Sequence, residues 1–396
     1  MRKKTNRGEK MKKAIIPTAL IVELDDVGWD NGNDLRVQGY ASRSGLPRYH
    51  ALEDYEVLRD ISNKTGKNMA LALCLGDWDK DNLLRGEVGI THDPFGWNRA
   101  KTIDIKAFEK YRDVLEGAEH LEYIVHANLH GVYDENGKRL HEKEFLKLSG
   151  SESGKPVYTV DEADFKRRFE IFLKIYNSWG FKKPLRGFVN PCSIYDDEGL
   201  IRKIAKILYS YGIRYWADDF RFFPEPIKMV EGVACFRWAG GEGRFPWNAY
   251  DCDPNTLAYH YNEDKPSTCF VGNHWTNFLR FDPKRNKEQI SLWVKYYEKQ
   301  SECFGNVNAN TVREAINQLI YHANASLTEE DSSFVIDTVC AINFGYEDLV
   351  REMFISISNE ISPKECIGAE MTLYEKHGEF STYKLSGFGE KIVIKY

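Results

Sequence analysis

Asp25-Asp26 and the pair His126/His130 have the residue types and spacing for metal-assisted chemistry. One carboxylate with two neutral imidazoles is a common ligand set for zinc and its neighbours, and three protein ligands leave open the positions that a catalytic metal needs. The other carboxylate of the Asp pair is then available as a base. Four-residue spacing puts both imidazoles on one side of a single helical turn, from which they can converge on an ion. Taken separately, each pair has an ordinary reading as well: adjacent carboxylates cap helices or sit in solvated turns, and HxxxH also occurs as cap or surface histidines.

The elements that must position these groups are short apolar runs. Thr18 to Leu24 reads as a buried strand ending at Asp25-Asp26, just before the loop Val27-Gly28-Trp29, and Leu121 to His126 reads as another. Further strand-like runs are Ala70 to Leu75, Leu185 to Val189, Gly212 to Trp216, Gly232 to Trp238 and Thr268 to Val271. Helical apolar spacing falls between several of them, at Ala51 to Ser62, Ile105 to Leu115, Asp161 to Trp179 and Asp197 to Tyr211. Alternating strand and helix predicts a parallel α/β sheet, open or closed, and in strand-helix barrels the site is assembled at the C-terminal ends of the strands. After residue 300 one helix, Thr311 to Asn324, precedes runs without intervening helices: Phe334 to Ile342, Met353 to Ser358, Glu365 to Tyr374, Ser381 to Leu385 and Lys391 to Tyr396. These predict an antiparallel β-rich region. The expected division is 14–300 and 301–396.

Composition narrows the function class. A net charge of -6 argues against a nucleic-acid partner, which needs a basic face. The chain's 42% hydrophobic content supports a substantial core. Eight scattered cysteines with no CxxC pair fit reduced thiols in a cytoplasm. A basic N-terminal stretch precedes the apolar run Ala14 to Val22, but that run flows straight into Glu23 and the Asp pair without a small-residue cleavage site, so it reads as a strand rather than a leader. No apolar stretch is long enough to span a bilayer. There is no Gly-x-Ser-x-Gly elbow. Gly240-Gly241-Glu242-Gly243 follows a strand but opens no helix, so no dinucleotide fingerprint is present.

The order and setting of Asp25-Asp26 and His126/His130 resemble the polysaccharide deacetylase (NodB-homology) family over roughly residues 14 to 300. That resemblance implies a distorted (β/α) barrel of seven or eight units, with a small β-rich domain following here. It further implies Asp25 as general base and Asp26, His126 and His130 as ligands of a divalent ion, Zn2+ first, with Co2+, Ni2+ or Mn2+ as alternatives. Phe188 to Ser193 resembles the segment in which the family places an Arg that tethers the base and an aromatic residue that helps hold the oxyanion; Asn190 stands where that Arg is expected, and Cys192 follows. Tyr215 to Asp219 resembles the motif whose Asp orients a catalytic histidine, leaving Asp218 or Asp219 for that role. Cys269 to His274 resembles the last strand, ending in that histidine, the general acid. Trp29 and Trp275 are further candidates for lining the substrate and oxyanion site. Glu23, Val27, Ala127 and Gly131 depart from the residues that usually flank the motifs.

The expected reaction is removal of an N-acetyl group from an amino sugar that is free, nucleotide-linked or part of an oligosaccharide, in making a surface polysaccharide such as O-antigen or capsule. One alternative is hydrolysis of another C–N amide bond, and another is a non-catalytic carbohydrate binder. The loop His92 to Asn98 offers groups for a sugar subsite, although a plain surface turn is its more ordinary reading.

Overall fold

Buried runs of Leu, Ile, Val and Ala cannot stand alone in water, and here they pair side by side into one curled sheet. The computed structural model describes residues 13–29, 48–152, 155–192, 197–218, 220, 223–237, 250–256 and 268–396. Asp219, Ser193, Trp238 and the Gly240–Gly243 stretch lie outside them. The strands are β1 (Thr18–Val27), β2 (Met69–Cys74), β3 (Leu121–Ala127), β4 (Leu185–Val189), β5 (Tyr215–Asp218), β6 (Ile227–Val230), β7 (Val233–Arg237) and β8 (Phe270–His274), in the order β6-β7-β5-β4-β3-β2-β1-β8. All neighbours are parallel except the hairpin β6-β7, and Asn306–Asn308 adds a short parallel pairing to β1. The Thr268 hydroxyl donates to the Arg237 carbonyl, so the two ends of the sheet approach each other. This is the expected distorted (β/α) barrel layout followed by a β-rich region.

Parallel strands need crossovers, and helices supply them. α1 (Leu52–Thr65), α2 (Ile105–Gly117), α3 (Glu162–Ser178) and α4 (Glu198–Ser210) follow β1 to β4 in turn, and α5 (Lys287–Ser301) follows β8. In α4 the stripe Leu200, Ile201, Ile204, Ile207 and Leu208 is buried, and the Asp197 carboxylate caps the helix by accepting from Leu200 N at 3.0 Å, an arrangement that stabilises such helices by about 1 kcal/mol. Val22, Leu24, Leu71, Leu73, Tyr123, Val125, Phe188 and Trp216 face this helical layer.

The other face of the sheet carries Ile21, Ala70, Ala72, Ile124, Val189 and Ala217. Against it pack Ile316, Leu319 and Ile320 of α6 (Val312–Asn324), then Met353, Ile355 and Ile357 of the C-terminal β region. Those strands form two antiparallel sheets, one ordered Ala14–Ile15, Glu352–Ser358, Phe380–Ser386, Glu370–Lys376 and the other Ser326–Glu330, Ser333–Asp337, Lys391–Lys395, Glu365–Ile367. Gln318 Nε2 donates to the carbonyls of Pro17 and Phe354, joining α6 to both regions.

Two sequence readings are corrected. Phe334 to Ile342 is strand only as Ser333–Asp337, and Val339–Ile342 is a helical turn that buries Ala341. Glu365 to Tyr374 is two strands in different sheets, broken at Gly368, whose φ is +86° and whose place a Cβ could take only 2.5 Å from the Lys391 carbonyl oxygen. The eight cysteines are all free. Among the described residues no helix is long and apolar enough to cross a membrane.

Candidate metal centre

Breaks in the strand register create the site. Between Leu24 and Val27, β1 advances three residues while β2 advances two, from Leu71 to Leu73. In β3, Val125 and Ala127 pair with the consecutive residues Leu73 and Cys74, which leaves His126 as the extra residue. Such bulges re-aim a side chain. In a regular strand Asp25 and Asp26 would point to opposite faces. Here Asp26 adopts a φ of +68°, a left-handed conformation that Asp tolerates better than most residues, and both carboxylates reach His126.

The geometry follows. Asp26 Oδ1 lies 3.2 Å from His126 Nε2 and 3.4 Å from His130 Nε2, while Asp25 Oδ1 lies 3.8 Å from His126 Nδ1. His126 Nδ1–H donates to the Val189 carbonyl at 2.8 Å, which leaves Nε2 as the nitrogen that could ligate an ion. The helical turn expected for HxxxH is not formed. His126 is the last but one residue of a strand and His130 sits in the following loop with a φ of +51°, so the imidazoles meet because the chain reverses rather than because it coils. The Trp29 indole stacks on His130, with ring centroids 4.7 Å apart and planes 12° from parallel.

Burial sets the charges. Asp26 and His126 are each 1% exposed, Asp25 and His130 8%. Burial and the neighbouring Glu23 carboxylate push the Asp25 carboxyl well above the usual range, against the pull of His126. Burial also opposes ionisation of Asp26, but His130 and His126 outweigh it and hold that carboxyl low. Burial disfavours a charged His126, yet Asp25 and Asp26 lift it to about 9. His130 is pushed down to about 3 by burial, against the pull of Asp26 and with smaller contributions from His126 and Arg139.

The donor set fits a divalent cation. One atom each from Asp26, His126 and His130 lies within 4.8 Å of the others, all three residues are buried, and His130 Nδ1 and Asp25 Oδ1 are buried atoms without a hydrogen-bond partner. Binding an ion there requires a neutral His126, so it releases a proton.

The remaining sequence candidates separate. His274 ends β8 directly beside Asp25 in the ladder, and its charge helps to hold the Asp26 carboxyl low. Asp218 is buried at the C-terminal end of β5; Asp219 lies outside the described residues. Asn190 does not fill the place of a tethering Arg, because its amide donates to the carbonyls of Cys192 and Pro191 in its own loop. Cys192 turns there with a φ of +66°. Trp275 belongs to the core: it is fully buried against His50 and Tyr55, with Nε1 donating to the Asp54 carbonyl at 3.3 Å. In the His92 to Asn98 loop, Trp97 points inward and donates to Asp79 Oδ2 at 2.8 Å, which leaves Phe95 exposed.

Two residues of the site were not singled out from the sequence. Glu23, buried and on the same face as Asp25, raises that carboxyl's affinity for protons; the period-two spacing was the available signal. Glu144 grips the loop between the histidines, and nothing local in the sequence points to it. The opposite side of that loop rests on Gly76, whose N–H donates to the Asn128 carbonyl at 2.6 Å. A Cβ at Gly76 would lie 2.3 Å from Leu129 Cδ2 and 2.5 Å from Asn128 O. Gly76→Ala is therefore expected to destabilise the fold by about 1–3 kcal/mol in urea denaturation; an unchanged midpoint would mean that the loop yields without cost.

No family model matches the chain, and no curated protein matches it. Among solved structures, a Mycobacterium smegmatis protein provisionally assigned as a polysaccharide deacetylase is similar with a TM-score of 0.43 at 13% identity, over 82% of this chain and 97% of that one. The 4-alpha-glucanotransferase of Thermococcus litoralis gives 0.38 at 11%, over 76% of this chain and 39% of the other. An endogalactoceramidase gives 0.26 at 12%, over 97% and 96%. Likeness this remote carries no functional argument. Function is argued from the centre itself.

Proposed function

We propose that this chain is a metal-dependent hydrolase that removes an N-acetyl group from an amino sugar. The observation that carries the reading is the buried Asp26, His126 and His130 cluster with the Asp25 carboxylate beside it at the C-terminal end of the sheet. Asp26, His126 Nε2 and His130 would hold the ion. The imidazole-rich donor set favours Zn2+. When bound, such an ion sharpens water as a nucleophile and polarises a carbonyl.

The chain's own groups do the rest. Asp25 accepts the proton as water attacks the amide carbon. His274, one strand over, protonates the departing nitrogen. The Val189 carbonyl holds His126 in the ligating tautomer, and Trp29 holds the plane of His130. The products are acetate and a free amino sugar. Their use in surface-polysaccharide synthesis inside the cell belongs to the same reading.

Asn190 supports a second reading. With its amide donors spent on its own loop, it tethers no base, which fits a different acyl group or a binder without catalysis. The test is acetate release from N-acetylglucosamine, its oligomers and its nucleotide diphosphate, before and after dipicolinate treatment. Release that the chelator stops and Zn2+ restores is the expected result. A metal-loaded protein that binds these sugars and releases nothing would sink the catalytic reading.

A further inference from the structure

His126 and His130 can serve one ion only if the three residues between them are held, and after Ala127 that connection has no regular structure. Its backbone leaves β3, passes through Asn128 and Leu129, and reaches His130 in a left-handed conformation that costs a non-glycine residue energy. Left to itself, such a segment would sample other arrangements. A buried carboxylate restrains it. Glu144, 0% exposed, accepts from Asn128 N at 2.9 and 3.1 Å with its two oxygens, from Asn128 Nδ2 at 2.7 Å and from Leu129 N at 2.9 Å.

We infer that Glu144 is a positioning residue for the metal centre, a clamp that sets the angle between the two imidazoles, and not a ligand or a catalytic group. Every hydrogen bond that this carboxylate accepts comes from the two residues midway between the histidines. Charge-assisted bonds to backbone N–H are shorter and about twice as strong as neutral ones, so one anion can fix two peptide planes. Asn128 extends the grip, since its Nδ2 also donates to the Arg168 carbonyl of α3 at 3.0 Å. From the opposite side, Gly76 N and Cys74 Sγ both donate to the Asn128 carbonyl, at 2.6 and 3.2 Å. The loop is thus pinned between β2 and Glu144, and the orientation of His130 is inherited from both. The assignment rests on the metal reading above and extends it to a residue that touches no ligand atom.

Glu144→Gln tests it. The amide keeps the shape but turns one acceptor into a donor facing a backbone N–H, so the clamp must let go on one side. In Co2+ titrations of the metal-stripped protein, followed by the visible d–d bands, E144Q is expected to bind roughly 10- to 100-fold more weakly, the range seen when groups behind a metal ligand are removed. The band shape is expected to change as well, because the imidazoles no longer meet at the same angle. A merely structural residue would lower thermal stability yet leave both affinity and spectrum of the folded protein alone. Folded E144Q with Co2+ affinity within about twofold of the parent and the same bands overturns the inference. Should E144Q not accumulate folded, Asn128→Ala, which deletes the side-chain bond and keeps both backbone donors, is titrated in its place. Weaker binding with altered bands supports the clamp, and unchanged binding overturns it. A parent protein that takes up no Co2+ overturns instead the metal reading itself.

Discussion

Asp26→Asn is expected to strip the protein of its metal and to lower acetate release by roughly 10³-fold or more, since ion-assisted polarisation is worth several kcal/mol of barrier. Asparagine is the informative replacement. It fits the left-handed backbone that position 26 adopts, and it keeps the shape of the side chain while removing its charge. The charge matters because Oδ1 lies near both His126 Nε2 and His130 Nε2. Two neutral nitrogens alone offer no anion to offset a dication. Metal content by atomic absorption and acetate by coupled assay should fall together. Activity retained without metal would remove the ion from the mechanism.

Asp25→Asn should separate from it cleanly. The metal is expected to stay, because the closest approach of Asp25 to His126, 3.8 Å, is to Nδ1 and not to the Nε2 proposed to ligate. Acetate release is expected to fall by about 10²- to 10⁴-fold in kcat with KM little changed, the size of a positioned general base. Asparagine accepts no proton at the relevant step, so the loss falls on the chemical step. If Asp25→Asn stays active, the base lies elsewhere, and Glu23 is the carboxylate to replace next, being buried on the same face and felt by the Asp25 carboxyl.

The barrel strands were legible because burial on both faces leaves near-continuous apolar runs, as in Leu185–Val189, whose bounds match the reading. Helices such as α4 were legible from one apolar stripe and a stopping glycine. The four residues of the centre were also recoverable, since Asp-Asp and HxxxH are local patterns. How they converge was not. A bulge is a relation between two strands, and no single strand shows that β1 has one residue too many at Asp25-Asp26. The same limit explains His130: spacing of four suits a helical turn, and only tertiary pairing turned the segment into a strand end and a loop. Glu144 lies beyond any local signal, as its partners are set by the fold. Alternation misled at Phe334 to Ile342, where apolar residues continue past the strand into a short helical turn. At Gly368 a turn signal was present in the sequence and outweighed by the β-like residues on either side.

The proton on the nitrogen of His126 that faces away from Asp26 is held by the main-chain carbonyl of residue 189. No side-chain replacement at that position deletes a carbonyl, so the tautomer is insulated from point mutation for as long as β4 keeps its place beside β3. Comparing sequences would never reveal this acceptor, because it is written in no codon. A chain can therefore drift until its flanking motifs are unrecognisable and still present the same face of that imidazole to an ion.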